Sequence, residues 1–209
     1  MPKKKGTQEE APLKLFYIFY SKERMDNWIR TLQGLSFASD PSPDEPPEGL
    51  LTLSQFAEDI TIEVLKILKL FQNSRFTKEE ALQRIREVEA VVMSEVRDGD
   101  IGEVLESLQL SLLVLFSACR KFMDGKYGGD LKALVKHARA LPEGDMEGAL
   151  EIAGEIGAAV MGGSPCCEKF MADDPAKSSL LDDWLLEIET IREAMKSLKD
   201  FDETTGEED

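Results

Sequence analysis

The sequence predicts an all-α protein, a single bundle of about seven helices with no significant β-sheet. Apolar residues recur at three- and four-residue steps along most of the chain, which is the pattern of amphipathic helices. Only residues 13–20 resemble a strand, and a lone strand without a partner is not stable. Residues 100–123 form the longest apolar stretch, apolar nearly all round. A helix of this kind is usually buried among others, so we predict that it is the central helix of the bundle.

The N-terminal part is predicted to lead from a tail into the first helix. Residues 1–11 are polar, and we expect them to be disordered, with one domain spanning residues 12–201. The aromatic run at residues 13–20 is expected to lie extended and to pack its rings onto the core. Ser21 has the side chain of an N-cap, and the helix that follows should end near Leu35.

A proline-rich loop follows the first helix. Residues 39–49 contain four prolines and four acidic residues, and proline prevents a helix from continuing. We predict a flexible connector over residues 38–49, although a docking motif is an alternative. Thr52 and Gln55 have capping-box spacing and predict the start of the second helix.

The remaining helices are predicted from their caps and apolar stripes. Thr77 and Glu80 form a second capping box, from which a helix should run to about Val96. Further helices are predicted at residues 131–141, 145–161 and 179–201, the first of them basic and the last started by Ser179 with an acid three residues on. The acidic residues 202–209 are expected to be a disordered tail.

The helix at residues 145–161 is unusual because it contains three glycines. Gly148, Gly154 and Gly157 should each cost about 1 kcal/mol relative to alanine. We therefore expect another helix to pack unusually close to this one.

An acidic ridge is predicted on the same helix. Glu147, Glu151 and Glu155 lie at i, i+4 and i+8, on one side. Such a ridge could bind a divalent cation or a basic partner, but a solvated helix face is the interpretation we favour.

Charge and composition exclude several classes of function. The formal net charge is −16, and an acidic surface repels phosphate backbones, so we expect no nucleic-acid partner. The N-terminal lysines are not followed by a signal-peptide core, and no run has the length and uniform apolarity of a membrane span. Three cysteines are too few for a secreted disulfide scaffold. We therefore expect a cytoplasmic protein without membrane association.

The candidate metal ligands are Cys119, His137, Cys166 and Cys167. Together they would offer zinc three thiolates and one imidazole, a known structural set. The chain has no CxxC motif, however, and adjacent cysteines are awkward as two ligands of one tetrahedral ion. We also find no catalytic constellation and no nucleotide-binding loop. We therefore predict no catalytic site and no cofactor, and keep these four residues only as candidates.

Several stretches resemble a known family. They are Phe19-Tyr-Ser-Lys-Glu-Arg-Met-Asp-Asn-Trp-Ile-Arg30, Phe76-Thr-Lys-Glu-Glu-Ala81, and Leu108-Gln-Leu-Ser-Leu112 with Ala118-Cys119. They look like DUF2150, an uncharacterised family of archaeal proteins found in methanogens, and the resemblance covers roughly residues 15–200. It implies a cytoplasmic archaeal protein, and no functional residue can be transferred because the family has no assigned activity.

The function predicted from these observations is a non-enzymatic one, a helical protein that binds or regulates another protein. One alternative is a metal- or thiol-dependent redox protein that uses Cys166 and Cys167. Another is a structural homo-oligomer with the glycine-rich helix as its contact.

Overall fold

The computed structural model describes residues 18–37, 46–94, 99–142, 144–165, 170, 179–199 and 201. In this part of the chain the regular structure consists of seven α-helices and no strand, which confirms the all-α prediction. The helices are α1 (Lys22–Leu32), α2 (Glu48–Gln72), α3 (Lys78–Val92), α4 (Gly99–Met123), α5 (Leu131–Arg139), α6 (Met146–Met161) and α7 (Leu180–Ser197). The two predicted tails, residues 38–45 of the loop and the Cys166-Cys167 pair lie outside the described residues.

Helix α4 is the central element, as its apolar sequence predicts. It packs against α2, α3, α6 and α7, and Leu112, Leu115 and Phe116 have no solvent exposure. Among the described helices, α4 alone is long and apolar enough by composition to cross a membrane. Core helices share this property, and here the apolar surface of α4 is used for packing against its neighbours.

The buried side chains form two clusters that α4 and α7 join. The larger cluster is built mainly from α1, α2, α3, most of α4 and the C-terminal half of α7. The smaller one combines α5, α6 and the N-terminal half of α7, with Val114 from α4. Each end of α7 therefore belongs to a different cluster.

The segment before α1 and α1 itself are held against α2. Phe19 and Tyr20 are buried, which confirms the predicted packing of rings in this segment for the two residues that the structure describes. Asp59 of α2 accepts hydrogen bonds from Trp28 Nε1 at 2.8 Å and from Arg24 Nε at 2.9 Å. These bonds satisfy a carboxylate and an indole in a partly buried place, where unpaired groups would destabilise the fold.

The start of α2 differs from the prediction. The helix begins at Glu48, four residues before Thr52, so the predicted capping box does not start it and the loop is shorter than expected. The cause is a contact with the end of the α1 segment. Gly49 N donates to Ser36 O at 3.1 Å, and a Cβ on Gly49 would approach that oxygen to 2.6 Å. Only glycine permits this close approach.

The other helices with predicted N-caps begin where those caps lie, but several helices end before their predicted apolar stripes do. The capping boxes at Thr77 and Ser179 are both present. The C-terminal ends come earlier than predicted for α1, α3, α5 and α7. Helix ends are the least certain part of any sequence pattern, because side-chain periodicity continues beyond the last backbone hydrogen bond.

Gly154 and Gly157 of α6 allow the close contact with α4 that the sequence predicts, whereas Gly148 faces the capping side chain of Asp145. A Cβ on Gly154 would overlap Ser117 Oγ and lie 3.2 Å from Lys121 Cε. A Cβ on Gly157 would lie 2.7 Å from Ala118 Cβ. All three contacts are shorter than van der Waals distance, so α4 occupies the space in which side chains would otherwise stand.

We predict that Gly154→Ala destabilises the protein. Alanine improves helix propensity by about 1 kcal/mol, but the overlap with Ser117 should cost more and leave a net loss of about 1–3 kcal/mol. Chemical denaturation measures this change. The double variant Gly154→Ala/Ser117→Ala should recover part of the loss, because it removes Oγ. A more stable single variant would show that α4 and α6 are not closely packed here.

Candidate functional site

A concave groove lies at one end of the bundle. It lies where α5 ends and where α6 and α7 begin, and its volume is about 700 Å³. The residues around it are Ala138, Arg139, Leu141, Pro142, Gly144, Asp145, Met146, Ala149, Ser179, Leu180, Leu181 and Trp184. Pockets of this size and mostly apolar lining are the usual binding sites of proteins.

The base of the groove is rigid and apolar. Trp184 has no solvent exposure, and its Nε1 donates to the carbonyl of Leu110 in α4 at 2.9 Å. Met146 stands at the edge of the groove with 48% of its surface exposed. An exposed, flexible methionine at the edge of an apolar groove is suited to contact with another molecule.

The polar groups of the groove have structural partners. Arg139 forms an ion pair with the buried carboxylate of Asp182 and donates from Nη2 to Phe170 O at 2.8 Å. Asp182 also accepts from the N–H and hydroxyl of Ser179, at 2.9 and 2.7 Å. Burial opposes ionisation of Asp182, but the hydrogen bonds from Ser179 and Arg139 outweigh it and hold its pKa below the usual value.

Three further carboxylates lie at the starts of α6 and α7, and of these only Asp145 lines the groove. Asp145 caps α6 through Gly148 N, Glu147 is in the first turn of α6, and Asp183 follows Asp182 on α7. All three residues are exposed, and the structure gives none of them an ion pair with any described residue. Burial and the adjacent charge of Asp182 raise the pKa of Asp183. The starts of α6 and α7 therefore carry exposed negative charge.

Comparison with known proteins identifies the family. The sequence profile described as "Uncharacterized protein conserved in archaea (DUF2150)" matches residues 18–204. The chain belongs to the DUF2150 family. This confirms the resemblance seen in the sequence and covers all seven helices. No curated protein and no solved structure matches the chain. DUF2150 is described as uncharacterised, so the family supplies no activity and no site residue.

The four candidate metal ligands of this DUF2150 protein are only partly described. Cys119 is fully buried in the larger cluster, and His137 is exposed on α5. Cys166 and Cys167 lie outside the described residues. Within those residues, no group of three or more His, Cys, Asp or Glu side chains is arranged to hold a metal ion. The four residues therefore stay candidates only.

The acidic ridge on α6 contacts α4. Lys121 pairs with Glu151 and lies 3.7 Å from Glu155 Oε1, and its side chain is only 12% exposed. Lys121 therefore neutralises part of the ridge. The prediction of a solvated helix face holds only for the rest of the ridge. The ridge thus contributes to the contact between the two helices.

Two polar residues of α4 have the partners that burial requires. Gln109 Nε2 donates to the carbonyls of Val92 and Ser94 at 2.8 and 3.0 Å, and Ser111 Oγ donates to Leu108 O at 2.9 Å. Both residues therefore bond the backbone, and neither lines the groove.

Glu187 is a partly buried ionisable group that sequence reasoning missed. It lies between α7 and α2, where Thr61 Oγ1 donates to its Oε1 at 3.3 Å. Burial raises the pKa of Glu187 to about 7, and the hydrogen bond from Thr61 opposes this rise only in part. Its position on the α7 stripe could have suggested burial, since it falls three residues after Trp184.

Glu187 should make the stability of the protein depend on pH. Its native pKa is higher than the usual value of 4.5, so the folded state binds the proton more tightly, and its contribution to stability decreases as pH rises from about 4.5 to about 7. The free energy of unfolding of Glu187→Gln, relative to that of the unmodified protein, should therefore increase as pH rises. The gain from about pH 5 to about pH 8 should be on the order of 1–3 kcal/mol.

Urea denaturation at both pH values tests this expectation. Glu106→Gln, at an exposed position of α4, is the matched control and should show a much smaller difference between them. An equal change in unfolding free energy with pH for the two variants would show that the pKa of Glu187 is not raised by burial.

Cys119 should be chemically inert in the folded protein. Burial is the main cause that raises the pKa of its thiol to about 12, so only ~1 in 10⁴ thiols is ionised at pH 8. In a Cys166→Ser/Cys167→Ser variant, Ellman's reagent should react with Cys119 only as fast as the protein unfolds. Reaction within seconds in the native state would contradict the burial of Cys119.

Proposed function

We propose that this DUF2150 protein is a non-enzymatic interaction protein that binds another protein in the groove between α5, α6 and α7. The observation that carries the proposal is the apolar groove of about 700 Å³, with its fixed base at Trp184 and its exposed edge at Met146. Interfaces gain most of their affinity from a few buried apolar anchors. A groove that admits such anchors supports binding.

The ionisable groups in the lining also favour binding over catalysis. Arg139 is held by Asp182 and by the carbonyl of Phe170, and Asp145 caps α6. A general acid or base must reach a substrate with a proton to give or take. The guanidinium of Arg139 is engaged in its ion pair, and Asp145 accepts from Gly148 N at the start of α6.

Site-specific photocrosslinking in the native cell tests the proposal. A benzoylphenylalanine placed at Met146 should capture a discrete partner that mass spectrometry identifies. The same probe at Glu79, an exposed position on α3, is the matched control and should not capture it. Adding Ala149→Arg, which places a long charged side chain in the groove, should reduce the crosslinked product at least about tenfold, equivalent to about 1.4 kcal/mol.

The outcomes distinguish the alternatives. Capture of a second copy of the chain at Met146 would support the homo-oligomer. The same partner at Glu79 and Met146, or capture that Ala149→Arg leaves unchanged, would overturn binding in the groove. Circular dichroism of the Ala149→Arg protein establishes that it is folded.

A further inference from the structure

We infer that a cavity at the C-terminal ends of α6 and α7 binds a small organic anion, a carboxylate or phosphate attached to an apolar group. The cavity has a volume of about 420 Å³, within the range of small-molecule sites. Helix α6 has 16 residues and begins at the groove, so the cavity lies about 24 Å from it. The inference is therefore independent of the proposed function and extends beyond it.

The lining of the cavity combines apolar and cationic side chains. Val160 and Met161, from the last turn of α6, provide apolar surface and are only 5% and 6% exposed. The residues contributed by α7 and the turn after it are spaced by three or four positions and share one helix face. They are Arg192, Met195, Lys196 and Lys199. A ligand in the cavity therefore meets apolar surface and cations together.

The charges that line the cavity select an anion. Every charged side chain in its described lining is a cation, although the whole protein carries a formal charge of −16. Arg192 pairs with Glu189 and Glu193, and Lys196 pairs with Glu193 at 2.9 Å. These two carboxylates do not line the cavity. They balance two of the three cations, so Lys199 supplies the positive charge that remains for a ligand.

Two donors of the lining are available to such a ligand. Within the described part of the chain, the ammonium group of Lys199 has no ion-pair partner and the hydroxyl of Ser164 has no hydrogen-bond partner. The backbone N–H of Ser164 is used within the fold, since it donates to Ala159 O at 3.0 Å. A carboxylate or phosphate can accept from both free donors, and hydrogen bonds to an ionised acceptor are stronger than bonds between neutral groups.

The helix ends favour an organic anion over an inorganic one. Both α6 and α7 end beside the cavity, and each C-terminus carries about half a negative charge. Together with the two carboxylates, these dipoles nearly cancel the three cations, so long-range attraction is weak. The dipoles explain the positions of Lys196 and Lys199, but they do not explain the apolar surface beside them. A ligand must therefore gain affinity from direct contact with Lys199 and from an apolar group.

Four probes test the inference, namely phenyl phosphate, benzoate, inorganic phosphate and benzylamine. NMR of ¹³C-labelled methionine methyl groups in the full-length protein follows binding, because Met161 and Met195 line the cavity. Phenyl phosphate and benzoate should shift both signals saturably, and the tighter of the two identifies the preferred headgroup. Inorganic phosphate lacks the apolar group and benzylamine has the wrong charge, so each should bind at least about tenfold more weakly than phenyl phosphate.

Variants locate the binding. Lys199→Glu should weaken binding of phenyl phosphate at least about fivefold, because it places a like charge beside the anion. Lys136→Glu is the matched control, since it changes the net charge equally at an exposed position of α5 outside the cavity, and it should leave the affinity unchanged. Ser164→Ala should weaken binding through the loss of one hydrogen bond.

Several results would overturn the inference. They include the absence of a saturable shift of the Met161 and Met195 signals up to about 10 mM phenyl phosphate and benzoate, and equal binding of phenyl phosphate by comparison with inorganic phosphate or benzylamine. Equal weakening by Lys199→Glu and Lys136→Glu would also overturn it, because it would indicate general attraction of anions. None of these results bears on the groove, which the crosslinking experiment at Met146 tests separately.

Discussion

The close contact between α4 and α6 is the constraint on which the rest of the structure depends. Gly154 and Gly157 let the backbone of α6 approach Ser117 and Ala118, and no larger residue fits without displacing one of the helices. This contact brings α6 near enough for Lys121 to reach the acidic ridge. It also sets where α6 begins relative to α7, and so defines the groove between their N-terminal ends.

The groove combines features that the helix ends require for their own stability. Asp145 and the pair Ser179 and Asp182 cap two helices, and Arg139 joins the end of α5 to the start of α7 through Asp182. The side chains of Arg139 and Asp145 are thus engaged within the fold. Apolar contact is then the main means by which the groove could recognise a partner.

Much of the fold can be predicted from the sequence, because its signals are local. The capping box at Thr77 and the apolar surface on nearly all sides of α4 depend on residues within a few turns of each other. The start of α2 could not be predicted, because Gly49 is held there by Ser36, across the loop. The groove was missed for a similar reason. Arg139, Met146 and Trp184 belong to three different helices, and no periodicity within one helix places them together.

Helix α7 contributes its N-terminal half to the wall of the groove and its C-terminal half to the larger cluster. A ligand seated against Trp184 therefore acts on an element that both clusters share. Because a bound ligand stabilises only the state that binds it, slower amide hydrogen exchange should extend along α7 into the larger cluster. Local loosening of α1 or α3, far from the groove, could conversely weaken binding. Helix α7 therefore links the stability of the larger cluster to the proposed binding groove.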